Sequence, residues 1–159
     1  MIAYAIEAAV SSKVFDRVIV NSDSSVFSSI AEEYGAEFYL RPEQLGGSSV
    51  KSDDVVIDFI EKYPSDIVVW ENPIAPLQTI DDIQNTIQYF LANNLDSLFT
   101  VKMEQIQCVY QNQPINFEEK EKFAQTQDLE PVCSFVPFIM MWKTSDCLCN
   151  RGCCFIKGI

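Results

Sequence analysis

The chain has 159 residues, 48% of them apolar, enough for one compact domain with its own core and too few for two comfortable ones. Its 23 acidic against 11 basic residues give a formal charge of −12, which argues against a nucleic-acid groove or an anionic membrane surface but not against a small anionic ligand, since a placed arginine, a helix N-terminus or a divalent metal overcomes the global field locally. Histidine is absent, which removes Ser-His-Asp and Cys-His catalysis, histidine acid-base chemistry and most catalytic zinc sites.

The N-terminus, Met1-Ile-Ala-Tyr-Ala-Ile-Glu7, carries no basic stretch ahead of its apolar residues, and no run of eighteen apolar residues follows anywhere, so the expectation is a soluble cytoplasmic protein. From Ile2 to Ser12 the residues Ile2, Ile6, Ala9 and Val10 fall on one helical face. Arg17-Val-Ile-Val20 is a β-branched run of the kind buried in a parallel sheet. Ser24 or Ser25 is placed to cap a helix bearing Val26, Phe27, Ile30, Ala31 and Tyr34, and Gly35 sits where a glycine ends it. Glu37–Leu40 reads as a second strand, broken by Arg41-Pro42 and a loop through Gly46-Gly-Ser-Ser49. Ser52, with Asp53 and Asp54, begins a helix whose apolar face is Val55, Val56, Phe59, Ile60 and Tyr63.

Asp66–Trp70 is a third strand, running into Glu71-Asn-Pro-Ile-Ala-Pro-Leu-Gln78; in open α/β sheets that carboxyl end is where ligands bind. Thr79 with Asp82 forms a capping-box pattern for a helix carrying Ile83, Ile87, Phe90 and Leu91, and Leu98–Val101 is a fourth strand. This alternation of strand and helix predicts an α/β fold with right-handed crossovers. The polar stretch from Glu104 to Glu130 reads either as two short strands carrying an excursion or as a mobile loop, and Phe135–Trp142 returns as a strand. The acid pairs Asp53-Asp54 and Asp81-Asp82 suit the first turns of helices rather than a metal. Cys147, Cys149, Cys153 and Cys154 lack the spacing of a zinc knuckle and are expected to be ordinary reduced cysteines.

Several strings fall in one order: Ile2–Ala9, Phe15–Val20, Asn21-Ser-Asp23, Leu40-Arg-Pro42 with Leu45, Pro73–Thr79 with Asp81-Asp-Ile83, and Gln127-Asp-Leu-Glu-Pro131. Together they resemble the acylneuraminate cytidylyltransferases (CMP-sialic acid synthetases), and more distantly their keto-deoxy-sugar relatives, over residues 2–133 with a weaker tail to Ile156. The resemblance implies a three-layer α/β/α, Rossmann-like nucleotidyltransferase with a mostly parallel sheet, one domain over residues 1–159, and an excursion at 103–131 that serves dimerisation and the substrate site. It also implies transfer of CMP from CTP to the anomeric hydroxyl of a sialic-acid-like nonulosonic acid, with Mg2+ and release of pyrophosphate, in a homodimer.

By the same resemblance Arg41 and Ser52 bind nucleotide, Asn72 and Gln78 contact the sugar acid, and Asp23 organises a turn rather than reacting. No catalytic residue and no metal ligand is carried over. Departures accompany the match: Asn72 stands for glutamine, Gln78 for arginine, and Val136-Pro-Phe138 for an N-G-A string. The family's first strand and basic glycine-rich loop fall ahead of the position matching Met1, and its D-x-D after the region of Cys153–Ile156. Phosphoryl transfer relies on charge neutralisation and positioning, and the resemblance puts the groups that supply both in those pieces, so little CTP-dependent activity is expected of this polypeptide; that first strand belongs between the strands of Arg17–Val20 and Asp66–Trp70. A noncatalytic nucleotide-sugar or partner-binding protein, and a transferase of the same fold using another nucleotide, stay open as alternatives.

Overall fold

The computed structural model describes residues 1–118 and 125–150, the side chains of Pro137, Cys149 and Asn150 excepted. They form two compact units, Met1–Leu98 with the described residues from Phe138 onward, and Phe99–Pro137. Along the chain come α1 (Ile2–Ser12), β1 (Ile19–Ser22), α2 (Ser28–Glu33), β2 (Glu37–Leu40), α3 (Ser52–Lys62), β3 (Ile67–Glu71), α4 (Ile80–Ala92), β4 (Ser97–Glu104), β5 (Val109–Tyr110), β6 (Gln113–Pro114), β7 (Val132–Lys143) and α5 (Thr144–Asn150).

In the first unit β1 and β2 pair in parallel, Ile19 opposite Glu37 and Ser22 opposite Leu40. Strand alternation sends Val18, Val20 and Phe38 to one face, where Ile6 and Val10 of α1 and Ile30 and Ala31 of α2 cover them. Tyr39 points the other way, its ring edge-on to Tyr63 at 5.4 Å and its hydroxyl donating to Asp58 Oδ2 of α3 at 3.0 Å. Helices thus lie on both faces of this pair. A second core gathers Ile83, Ile87 and Phe90 of α4 with Ile139 and Met141 of β7, flanked by Ile67 and Val69 of β3 and Ala8 of α1. Each fully buried side chain of this size contributes roughly 1.5–3 kcal/mol. Gln84 Nε2 of α4 donates to the Ser12 carbonyl at 2.9 Å, satisfying the end of α1.

The helix signals behave unequally. Gly35, at φ 80°, closes α2 as its pattern foretold: the Ala36 amide bonds the Ala31 carbonyl at 2.8 Å and the Gly35 amide that of Glu32 at 3.2 Å. The capping box also forms, with the Asp82 amide donating to Thr79 Oγ1 at 3.1 Å and the Thr79 amide to Asp82 Oδ2 at 3.0 Å. Ser24 heads a short 3-10 turn, Ser25–Phe27, and makes no side-chain cap. Ser52 does not cap α3 either: Lys51 occupies that position and Ser52 is the first helical residue.

The expectation of a mostly parallel sheet is corrected. β7 lies between β3 and β4 and runs antiparallel to β3, with Ile67 opposite Lys143 and Glu71 opposite Ile139. Among the described residues between β4 and β7 no α-helix intervenes, and a parallel return to a sheet needs such a crossover. Among the described residues β1 and β3 belong to different sheets and each is an edge strand; these are the strands that the resemblance puts on either side of the family's first strand.

In the second unit, β5 and β6 make a hairpin through Gln111 and Asn112, both at positive φ (48° and 62°), as a tight right-twisted turn requires. Among its described residues the excursion therefore carries a pair of short strands. Asn116 fastens it: Oδ1 accepts from the Cys108 amide at 3.0 Å, and Nδ2 donates to the carbonyls of Ile106 and Glu130, each at 2.8 Å. Cys147 is buried, while Cys153, Cys154 and the tail to Ile156 lie outside the described residues.

Candidate functional site

The carboxyl ends of β1, β2 and β3 carry the polar chemistry of the first unit. At the end of β1, the Ser24 amide donates to Ser22 Oγ at 3.2 Å, which turns the chain. Asn21 Oδ1 next to it is buried without a hydrogen-bond partner. Pairing with β2 extends one residue past the strand, the Arg41 amide donating to the Ser22 carbonyl at 2.8 Å.

That bond fixes Arg41 beside Asp23. Its Nη2 stands 3.5 Å from Asp23 Oδ1, a long ion pair, and the arginine side chain is only 16% exposed. Arg41 Nε is buried without a partner. Gly46 packs directly on Asp23: a Cβ there would collide with its carboxylate and lie 3.0 Å from its Cβ. Asp23 is thus packed between Gly46 and the guanidinium of Arg41.

At the end of β3 the Asn72 amide donates to the Phe138 carbonyl of β7 at 2.9 Å. Asn72 Oδ1 accepts from the Ile74 amide at 3.2 Å, so the side chain shapes the proline-flanked loop. Gln78 Nε2 reaches the Asn72 carbonyl at 3.5 Å, whereas Gln78 Oε1 is buried without a partner. Glu71 is partly buried, its Oε1 also without a partner, and burial pushes its carboxyl up to about 7.

Of the four residues expected at a binding site, Asn72 and Gln78 are joined by that hydrogen bond, and Arg41 is tied to the end of β1 through Asp23. Ser52 is exposed at the start of α3, and no hydrogen bond among the described residues links it to the other three. Asn21 and Glu71 were not singled out as binding residues by sequence reasoning. The signal for Glu71 was an acid closing the apolar run Ile67-Val-Val-Trp70 at a strand's carboxyl end. Among the described residues no group of three or more acidic or cysteine side chains gathers as a cation's donor set. No described helix is long and apolar enough to cross a membrane.

Comparison with known proteins gives this arrangement a family. Residues 1–131 match the family model described as Cytidylyltransferase. The chain is similar to the pseudaminic acid cytidylyltransferase of Campylobacter jejuni, at 29% identity over 141 residues, 81% of this chain and 61% of that protein. It is similar to the CMP-N,N'-diacetyllegionaminic acid synthase of Legionella pneumophila, at 26% over 145 residues, 86% and 61%. A shorter stretch of 56 residues is 46% identical to the N-acylneuraminate cytidylyltransferase of Escherichia coli, 35% of this chain and 13% of that one. The Campylobacter and Legionella matches thus each span 61% of the relative's own length.

Among solved structures, the CMP:2-keto-3-deoxy-manno-octonic acid synthetase complexed with CTP superposes with a TM-score of 0.64 over 92% of this chain and 64% of that one, at 12% identity. That likeness establishes the α/β nucleotidyltransferase fold. With residues 1–131 matched to the family model, the chain belongs to the cytidylyltransferase family.

Proposed function

We propose that this chain forms the nucleotide-sugar side of a site that binds CTP and a nonulosonic acid, in which CMP passes to the sugar's anomeric oxygen. In that reaction the anomeric oxygen bonds to the α-phosphorus, the bond from that phosphorus to the β-phosphate bridge breaks, pyrophosphate leaves, and the hydroxyl proton goes to solvent. One observation carries the reading: Asn21 Oδ1, Arg41 Nε, Glu71 Oε1 and Gln78 Oε1, at or just beyond the carboxyl ends of three strands, are all buried without partners. Buried polar atoms are normally paired, so unpaired acceptors and a guanidinium N–H call for a ligand rich in hydroxyls and bearing an anion.

In this reading Arg41 holds a phosphate or carboxylate, and Ser52 brings the exposed hydroxyl and backbone N–H groups at the start of α3. Asn72 and Gln78 face the sugar acid. Mg2+, when bound with CTP, would supply neutralisation of the phosphate charge. Val109, Tyr110 and Ile115 of the excursion are exposed, an apolar surface suited to a second copy of the chain. Sedimentation showing only monomer at high concentration would remove that copy.

The experiment is thermal unfolding of the full chain with CTP, UTP, ATP and GTP, with and without Mg2+, followed by pyrophosphate release with a panel of nonulosonic acids. CTP is expected to raise the melting temperature most. Stabilisation by CTP without pyrophosphate release would leave the noncatalytic binding protein standing, a larger shift with another nucleotide would favour the third alternative, and no shift at millimolar nucleotide refutes the reading.

A further inference from the structure

Glu71 is placed where a charged carboxylate is hard to keep. It shares a face of β3 with Ile67 and Val69, which pack on the α4 core. Its Oε1 is closed off from solvent with no donor in reach. The charged groups on the elements packed against β3 do not neutralise it. Lys143 of β7 lies opposite Ile67, at the other end of the strand, and is held by Asp96 at 2.9 Å. On α4, Asp82 is locked to Thr79 and Asp81 is exposed; on α1, Glu7 is exposed. A carboxylate with one oxygen shut off from both water and a donor is the costlier form, and the neutral acid is favoured. Burial alone, with no charged neighbour contributing, pushes this carboxyl up to about 7.

We propose that Glu71 meets the anionic ligand of this site as a neutral carboxylic acid, donating its hydrogen to a phosphate or carboxylate oxygen, so that binding takes up a proton from solvent. The proposal rests on the nucleotide-sugar reading above. No covalent bond of the ligand changes: the carboxylate, a solvent proton and the ligand become the acid hydrogen-bonded to the ligand. The approach of an anion tightens the carboxyl's hold on that proton, because a like charge disfavours the ionised form. In a chain of charge −12, a carboxyl that sheds its charge as the anion arrives removes a local repulsion that a fixed carboxylate would keep.

Two measurements on the full chain test this. The first follows the glutamate side-chain carboxyl carbons by NMR against pH without ligand, with Glu71→Gln identifying the Glu71 signal. A midpoint near neutrality is expected, and one in the ordinary carboxylate range of about 4–5 overturns the proposal whatever the ligand does. The second titrates CMP calorimetrically at pH 7.5 in buffers of small and large ionisation enthalpy. The wild-type chain is expected to take up about 0.5–0.8 proton more than Glu71→Gln, the phosphate's own proton being common to both. Affinity of the wild type should also fall up to about tenfold per pH unit above the midpoint, and that of Glu71→Gln should not. CMP binding with equal proton uptake in both chains overturns the role of Glu71 and leaves the nucleotide reading intact. Absence of CMP binding overturns the nucleotide reading and this proposal with it, even if the NMR midpoint is high.

Discussion

Replacing Glu71 with glutamine removes a titrating group while keeping its shape, and its effect on stability has a calculable sign. In the folded chain the carboxyl sits at about 7 against an ordinary value of 4.5. Below about 4.5 both states hold the proton and the group contributes no penalty. Above it the unfolded chain releases the proton while the folded chain retains it, so wild-type stability declines as pH rises and levels off beyond about 7. The full effect of that difference, at about 1.36 kcal/mol per pH unit, is about 3.4 kcal/mol. Glu71 is only partly buried, and solvent screening reduces this to roughly 1–2 kcal/mol. For a chain of this size that corresponds to roughly 2–8 °C in melting temperature. Urea denaturation of both proteins at pH 4.5, 5.5, 6.5 and 7.5 reads it directly: the advantage of Glu71→Gln over wild type should grow across the series. An advantage constant across the window, or one that shrinks as pH rises, refutes the reasoning.

Thr79→Ala should cost about 1 kcal/mol by opening the capping box of α4, and Thr79→Ser should restore most of it in chemical denaturation. Gly46→Ala forces Asp23 off its position beside Arg41 and should cost about 1–2 kcal/mol in the same assay, with weakened nucleotide binding measured calorimetrically. Arg41→Ala should leave stability within about 1 kcal/mol, since its ion pair is long and its partner is 41% exposed, yet abolish stabilisation by CTP in thermal unfolding. Arg41→Lys should recover little of that stabilisation, a point charge lacking the guanidinium fork.

Local chemistry decided what could be read along the chain. The Gly35 terminus and the Thr79–Asp82 box are set by residues within one turn of each other, and both formed as their spacing foretold. The alternation of apolar runs with helical faces gave the strands and helices up to β4, and the strings from Ile2 to Pro131 pointed to the family. Ser52 shows the limit of such signals, since its position relative to the helix start depends on how the loop from Arg41 delivers the chain, and Lys51 took the cap position instead.

Strand direction and the company of individual side chains were settled only by the tertiary fold. Phe135–Trp142 reads as a strand in any sheet, because its apolar run is blind to direction; its pairing against β3 follows from the route the chain takes through the excursion. Arg41 and Asp23 are 18 residues apart, and only the register that sets Ser22 opposite Leu40 brings them together. Glu71 is one acid among 23 in the sequence, and what distinguishes it is burial, a property of the surrounding elements rather than of the residue. Sequence fixes short-range geometry through bonds between near neighbours, whereas long-range pairing and desolvation exist only once distant segments have packed.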